Sequence, residues 1–370
     1  MNQPQSKQPH CIILGAGLLG RLIALQLVVK GHTVEVYDKG DKSGEGSAAR
    51  AAAAMLAPLA ESVITEPSVV KMGHYGLTRW KEIIETLDQP VFFQQNGTLI
   101  LWHRQDAHEA KRFGSAIAKN HELMRFLEGP LQLNAEALQK LEPGLQGQFQ
   151  QGIYLPGEGQ LDNRELLASL FTTLNNKGVS FHWNSPKSHE DFERLTQDSA
   201  TWLFDCRGLG SKPSWEGLRG VRGEVIRLHA PEVSLSRPVR LIHPRYPIYI
   251  APKENHVFVI GATEIESEDL SSASVRSTLE LLSAAYTVHS GFAEARILEI
   301  STQARPTLSD NLPAFKQVGP RALQINGLYR HGFLIAPAIV DAAVEFMVDG
   351  THNSADQFGV SFTTISTLHS

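Results

Sequence analysis

At 370 residues, with 42% apolar side chains and a formal net charge of −5, the chain can bury a large core in two domains, or in one domain carrying a large insertion. Lysines and arginines are scattered rather than striped, so the charge supports no nucleic-acid partner, and only Cys11 and Cys206 are present, which argues against a disulfide framework or a cysteine-based metal site. Fifteen histidines offer no H-x-H or H-E-x-x-H spacing, so no metal is expected.

The N-terminal residues 1–10 are polar and lack the charged, apolar and cleavable order of a leader; no apolar run is expected to reach membrane-spanning length, and cytoplasm is the default compartment. Residues 11–14 are an apolar run of strand length, and residues 18–30 read as a helix. Between them stands Gly15-Ala16-Gly17-Leu18-Leu19-Gly20. Gly15 permits the tight turn, Gly17 lets backbone approach a pyrophosphate, and Gly20 lets the helix pack close to the strand. Leu18 and Leu19 open the helix, whose free N–H groups suit phosphates. Residues 33–38 alternate as a second strand ending at Asp38, about twenty residues on, where a ribose hydroxyl needs an acceptor. This pattern binds a dinucleotide without separating FAD from NAD.

Gly46 to Arg50, with Ser47, leads into the small-residue stretch Ala51 to Pro58, which contains Met55. Such a stretch admits either tight helix packing or a flat ring lying against it. Leu77, Trp80, Ile84 and Leu87 have helical spacing, and residues 91–102 read as a hairpin turning at Asn96-Gly97. Asp162 and Glu165 resemble a capping box before a helix at 164–174. Residues 201–206 read as a buried strand that stops at Arg207-Gly208 and returns the chain to the nucleotide unit. Strands are expected at 223–228, 247–252 and 256–261, a helix at 275–286, and strands at 296–302, leading to Arg305, and at 322–326, leading to Gly327.

Several blocks then fall in a telling order: Gly-Ala-Gly-Leu-Leu-Gly, Ala-Ala-Ala-Met-Leu-Ala-Pro, Gly223-Glu224, Tyr249-Ile250-Ala251-Pro252, Val259 to Thr263, Arg305-Pro306 and Tyr329-Arg330-His331-Gly332-Phe333-Leu334-Ile335-Ala336-Pro337. The series resembles the glycine oxidases of the D-amino acid oxidase family over nearly the whole chain. The resemblance implies an α/β fold with a Rossmann-type FAD-binding domain (1–66, 150–216, 300–370) interleaved with an antiparallel α+β substrate domain (67–149, 217–299). It also implies oxidative deamination of glycine, sarcosine or a small D-amino acid, in some members feeding thiamine synthesis, and self-association in many.

On the family pattern Tyr249 and Arg305 hold the substrate carboxylate, a task suited to the paired donors of a guanidinium. Arg330 stands at the rim. The helix beginning near Gly332 points its positive end at the flavin, with His331, Phe333 and Leu334 beside it, and Ser47, Arg50, Met55 and Gly208 are further cofactor contacts. Dioxygen is the expected acceptor, giving hydrogen peroxide. Three departures stand out: Glu264 and the pair Ile339-Val340 take places expected to be differently filled, and the run His243 to Pro247 is unusually basic and aromatic. Glu264 redirects the pocket if it points inward and means nothing if it points outward. Three other functions stay open: a flavin dehydrogenase passing electrons to a quinone or carrier, FAD-dependent trimming of a modified tRNA base, and a non-catalytic flavin-binding protein.

Overall fold

The structure is a computed structural model that describes residues 9–145, 147–242 and 248–364; the run 243–247 singled out above lies outside the described residues. The apolar run after Pro9 becomes the strand His10–Leu14, central in a seven-stranded sheet. It pairs in parallel with Thr33–Tyr37 on one side and Trp202–Asp205 on the other. Beyond Trp202–Asp205 lie Ala322–Asn326, Ala314–Gly319 and Ser361–Thr363, and beyond Thr33–Tyr37 lies Ser180–His182. Only the pair Ala314–Gly319 with Ala322–Asn326 is antiparallel. Strand order therefore reverses at His10–Leu14, and its carboxyl end opens on the crevice where such sheets take ligands.

The second sheet has eight strands, in the order Arg296–Thr307, Arg219–His229, Val257–Gly261, Ile248–Pro252, Val239–Leu241, Thr98–Leu101, Gln151–Leu155 and Leu131–Asn134. All its pairs are antiparallel except Val239–Leu241 with Thr98–Leu101. Two strands lie across the expected domain boundaries: Gln151–Leu155 and the whole of Arg296–Thr307 belong to this sheet. Pro306 is tolerated because its strand is an edge. A small third sheet joins Met55–Leu56, Gly159–Leu161 and Phe93–Gln94.

Three local readings need correction. Phe93–Gln94 and Thr98–Leu101 do not form a hairpin but enter different sheets. At the turn the Gly97 amide donates to the Glu158 carbonyl at 3.0 Å, and the Tyr154 hydroxyl donates to the Asn96 carbonyl at 3.0 Å; these distant partners outbid a local ladder. Asp162 does cap the helix Asn163–Asn176 by accepting from the Arg164 and Glu165 amides. Glu165, however, accepts from the Phe92 amide rather than from Asp162, so the box is only half closed. Cys206 sits just past its strand, half-buried.

The helix Gly332–Asp349 crosses Pro67–Glu85 and Leu18–Val29 in the main core. Against expectation, the stretch Tyr329–Asp349 is long and apolar enough to span a membrane, with a mean hydropathy of 1.5, but 72% of that window is buried in the protein. Pro337 interrupts its hydrogen-bond ladder, freeing the Phe333 carbonyl. The Trp80 indole donates to that same oxygen at 2.8 Å. Gly76 makes the approach possible, since a Cβ there would stand 2.5 Å from the Leu334 carbonyl oxygen. Ile339 and Val340 are buried in this core, away from the cavity described next.

Candidate active site

A cavity of about 690 Å³ lies between the carboxyl end of His10–Leu14 and one face of the eight-stranded sheet. Of the residues singled out from sequence, Gly15, Gly17, Leu18, Leu19, Asp38, Ser47, Met55, Gly208, Tyr249, Arg305, Arg330, His331, Gly332, Phe333 and Leu334 all line it. Gly20 and Arg50 do not. Gly20 lies behind the turn, where a Cβ would be 1.9 Å from the Gly15 carbonyl oxygen. The Arg50 guanidinium turns to the Ser43 carbonyl at 3.3 Å.

The nucleotide end is built from backbone. Gly15 has φ +96° and donates to the Tyr37 carbonyl, and a Cβ on it would strike the Cys206 carbonyl at 2.7 Å. Asp38 accepts from the Ala16 amide at 2.6 Å and the Gly40 amide at 2.7 Å, which fixes its carboxylate at the strand end with lone pairs still available. A Cβ on Gly17 would meet only the Ser47 hydroxyl, at 3.4 Å, and one on Gly332 would meet nothing. Both glycines stand at helix starts on the cavity, Gly332–Asp349 at one and Leu18–Val29 at the other. Two helix starts thus face one space that glycines keep open, a fit for a bound dinucleotide with a polar ring system.

Opposite stands the eight-stranded sheet. Arg305 reaches inward because Gly223 faces it, where a Cβ would fall 2.3 Å from a guanidinium nitrogen. Among the described residues its donors find only the Thr263 carbonyl at 3.2 Å and the Arg222 carbonyl at 3.5 Å. Among the described residues it meets no carboxylate at ion-pair distance. Burial pulls its pKa down from the ordinary value, and Arg330 adds to that. Tyr249 pairs across the sheet with Gly261, whose missing side chain leaves room for the phenol. Burial raises the Tyr249 pKa, opposed by Arg305 and Arg330.

Arg330 differs from Arg305 in having two anionic partners, Glu264 at 2.7 Å and Glu61 at 3.3 Å. Burial would lower its pKa, but the two carboxylates outweigh it and leave the guanidinium above its usual range. Glu264 lines the cavity half-exposed, so it is neither wholly inward nor idle. Glu61 also takes Arg240 at 2.8 Å and His331 at 3.5 Å. Burial would raise the Glu61 pKa, yet Arg330, Arg240 and His331 hold it at about 2. Burial pushes His331 down to about 4.

Sequence reasoning missed Arg21, Glu61, Thr98 and Arg240 as cavity residues. Two carried a signal: Arg21 is the one charge in the mostly apolar helix Leu18–Val29, and Arg240 the one charge in the strand Val239–Leu241. A buried charge inside an apolar element needs a partner or a purpose. Glu61 and Thr98 carried none. Among the described residues no group of three His, Cys, Asp or Glu is arranged to hold a metal.

The model of the family described as DAO, FAD dependent oxidoreductase, matches residues 10–345. A thiamine biosynthesis oxidoreductase, ThiO, of Rhizobium etli is 38% identical over 329 residues, covering 89% of this chain and 93% of its own. Among solved structures, iminodiacetate oxidase from Chelativorans sp. BNC1 superposes with a TM-score of 0.78 at 21% identity, over 95% of this chain and 99% of that one. Glycine oxidase from Geobacillus kaustophilus gives 0.75 at 21% identity, over 92% and 95%.

Proposed function

The chain belongs to the DAO family of FAD dependent oxidoreductases, and from that premise we propose that it oxidises glycine or a small D- or N-methyl amino acid to the 2-oxo acid. Dioxygen is the proposed acceptor: amino acid, water and dioxygen give 2-oxo acid, hydrogen peroxide and ammonia, or methylamine where the nitrogen carries a methyl group. The observation that carries the reading is Arg305, a half-buried guanidinium at the cavity wall with carbonyls but, among the described residues, no carboxylate at ion-pair distance. A cation drawn partly out of water without a counter-charge is costly, and a substrate carboxylate supplies that charge together with paired, oriented hydrogen bonds.

FAD, when bound, accepts the Cα hydride with its two electrons. The protein's part is to position. Arg305 and Tyr249 fix the carboxylate and with it the rotation of the Cα substituents. The start of Gly332–Asp349 favours negative charge on its side of the cavity. The ion pairs of Arg330 with Glu61 and Glu264 set the wall around the remaining substituents. The name of the Rhizobium etli relative refers to thiamine biosynthesis, and that setting is carried over as part of the proposal.

Anaerobic titration of the yellow holoenzyme with glycine, sarcosine, D-alanine, D-proline and the L counterparts tests the reaction: one of them bleaches the flavin, and air restores it with stoichiometric peroxide. Dye reduction without peroxide would replace the oxidase reading by a dehydrogenase. Arg305→Ala removes a charge-assisted pair worth about 3 kcal/mol, so the apparent KM rises by on the order of 100-fold. An unchanged KM sinks the assignment of Arg305.

A further inference from the structure

Ten buried side-chain polar atoms among the described residues lack a hydrogen-bond partner, and four of them belong to one cluster: Glu61 Oε2, Thr98 Oγ1, Glu158 Oε2 and Arg240 Nε. The cluster is tight. Arg240 donates to Glu61 at 2.8 Å, the Ala60 amide donates to Glu158 Oε1 at 2.7 Å, and Arg240 and Thr98 stand on the adjacent strands Val239–Leu241 and Thr98–Leu101. Thr98 is 0% and Glu158 2% exposed. A buried polar group without a hydrogen bond is costly, and the ordinary remedy is internal water, which needs two to four polar partners. Here those partners are present.

The cluster is also a partition. Glu61, Thr98 and Arg240 line the large cavity, while Glu158 lines a separate pocket of about 190 Å³ that it shares with His74, Gln95, Phe126 and Glu128. Water can therefore approach the cluster from both sides. The proposed chemistry, on which this inference rests, has a proton to dispose of: an amino acid arrives as an ammonium, and hydride leaves Cα only once the nitrogen is neutral.

We propose that Glu61, Thr98 and Glu158, joined by internal water, form a proton route from the substrate cavity to the side pocket, with Glu158 holding the proton in transit. One N–H bond of the ammonium breaks and one O–H bond forms on the Glu158 carboxylate, cancelling a positive charge on nitrogen and a negative charge on oxygen. The Cα hydride then departs with its two electrons, and Glu158 returns the proton to water in the side pocket. Both carboxylates are needed in different states. Glu61, ringed by Arg240, Arg330 and His331, stays anionic and draws the proton toward the wall. Burial pushes Glu158 up to about 7, against the Ala60 amide and Arg240, with Glu61 adding to the rise. His74 and Glu128 face it across the side pocket. Near neutrality Glu158 can therefore take a proton and release it, the condition for an efficient relay.

Glu158→Gln tests this, because the amide keeps the volume and still accepts from Ala60 but cannot titrate. With FAD-loaded protein and glycine or sarcosine, the anaerobic bleaching rate of the wild type climbs with pH to a plateau above about 7. In the variant that limb moves up by a unit or more and the rate at pH 7 falls about tenfold, while rates at pH 9.5 agree within about twofold. Infrared titration reads the same group without turnover: a protonated-carboxyl band vanishes as pH rises through about 7 in the wild type and is missing in the variant. Thr98→Val interrupts the route and spares the acid, so it slows bleaching at pH 7 while retaining the band; it carries the kinetic test should Glu158→Gln not fold. Identical pH profiles in wild type and variants, or no carboxyl titrating near neutrality, overturn the route while bleaching itself upholds the amino-acid reading. A wild type that no amino acid bleaches overturns both.

Discussion

His331 stands 5% exposed at the start of the helix that faces the cavity, with Glu61 at 3.5 Å. Its folded pKa of about 4 lies below the ordinary 6.5. Between those values the unfolded chain binds a proton that the folded chain refuses, so stability falls as pH drops from 6.5 toward 4, by about 3 kcal/mol in all. Glu61 acts in a lower window. Its stabilisation is present above its ordinary value of 4.5 and is lost as pH falls toward its folded value of about 2. His331→Asn should therefore flatten the upper window and narrow the lower one, which Arg330 and Arg240 still maintain. Urea unfolding at pH 7 and 4.5 compares the two proteins, and an equal loss in both would show that His331 does not govern that range. At this scale the sequence was legible where one residue type has one geometric use: Gly15 needs its positive φ, and Gly17 its open space. It was silent on Glu61, whose meaning comes from Arg240, 179 positions away in the chain.

Elements were legible in their periods and obscure in their partners. The helix expected from Leu77, Trp80, Ile84 and Leu87 is Pro67–Glu85, which ends before Leu87, and the one expected at 275–286 is Val275–Val288. The Asn96-Gly97 turn misled because its chemistry suits a hairpin, while the Glu158 carbonyl and the Tyr154 hydroxyl, both remote in sequence, bind it instead. The Trp80 indole shows the same non-local logic. It repairs the gap that Pro337 leaves at the Phe333 carbonyl, the last carbonyl before Leu334 on the cavity wall. Trp80→Phe removes the donor and some volume at a site 0% exposed, and should cost about 2–3 kcal/mol of stability. Denaturant titration of the holoenzyme measures it; a loss below about 0.5 kcal/mol would mean that the carbonyl finds another donor.

Over the whole molecule, the FAD cavity joins two sheets that the chain visits alternately. Its wall takes Gly15 from the seven-stranded sheet's first turn, Thr98 and Tyr249 from the eight-stranded sheet, and Leu334 from the long core helix. Cofactor bound there links these parts, so it stabilises the entire fold by mass action. Flavin fluorescence and far-ultraviolet circular dichroism of the holoenzyme should lose signal at one midpoint, and apoprotein should melt several degrees lower, by about 3–8 °C, with FAD restoring the difference. Flavin release well before loss of secondary structure would show the cavity opening independently of the core.

The interleaving also sets an order in time. When the ribosome has made the glycine turn, the strand Trp202–Asp205 that flanks His10–Leu14 is still some two hundred residues away, and Ala322–Asn326 beyond it comes later still. Gly332, Phe333 and Leu334 then complete the wall. Thr33–Tyr37 can pair with the first strand early, but the strand's other edge waits unpaired until Trp202–Asp205 is made, with apolar surface exposed to chaperones or to a neighbouring nascent chain. Flavin capture thus waits until Gly332, Phe333 and Leu334 have emerged to close the wall.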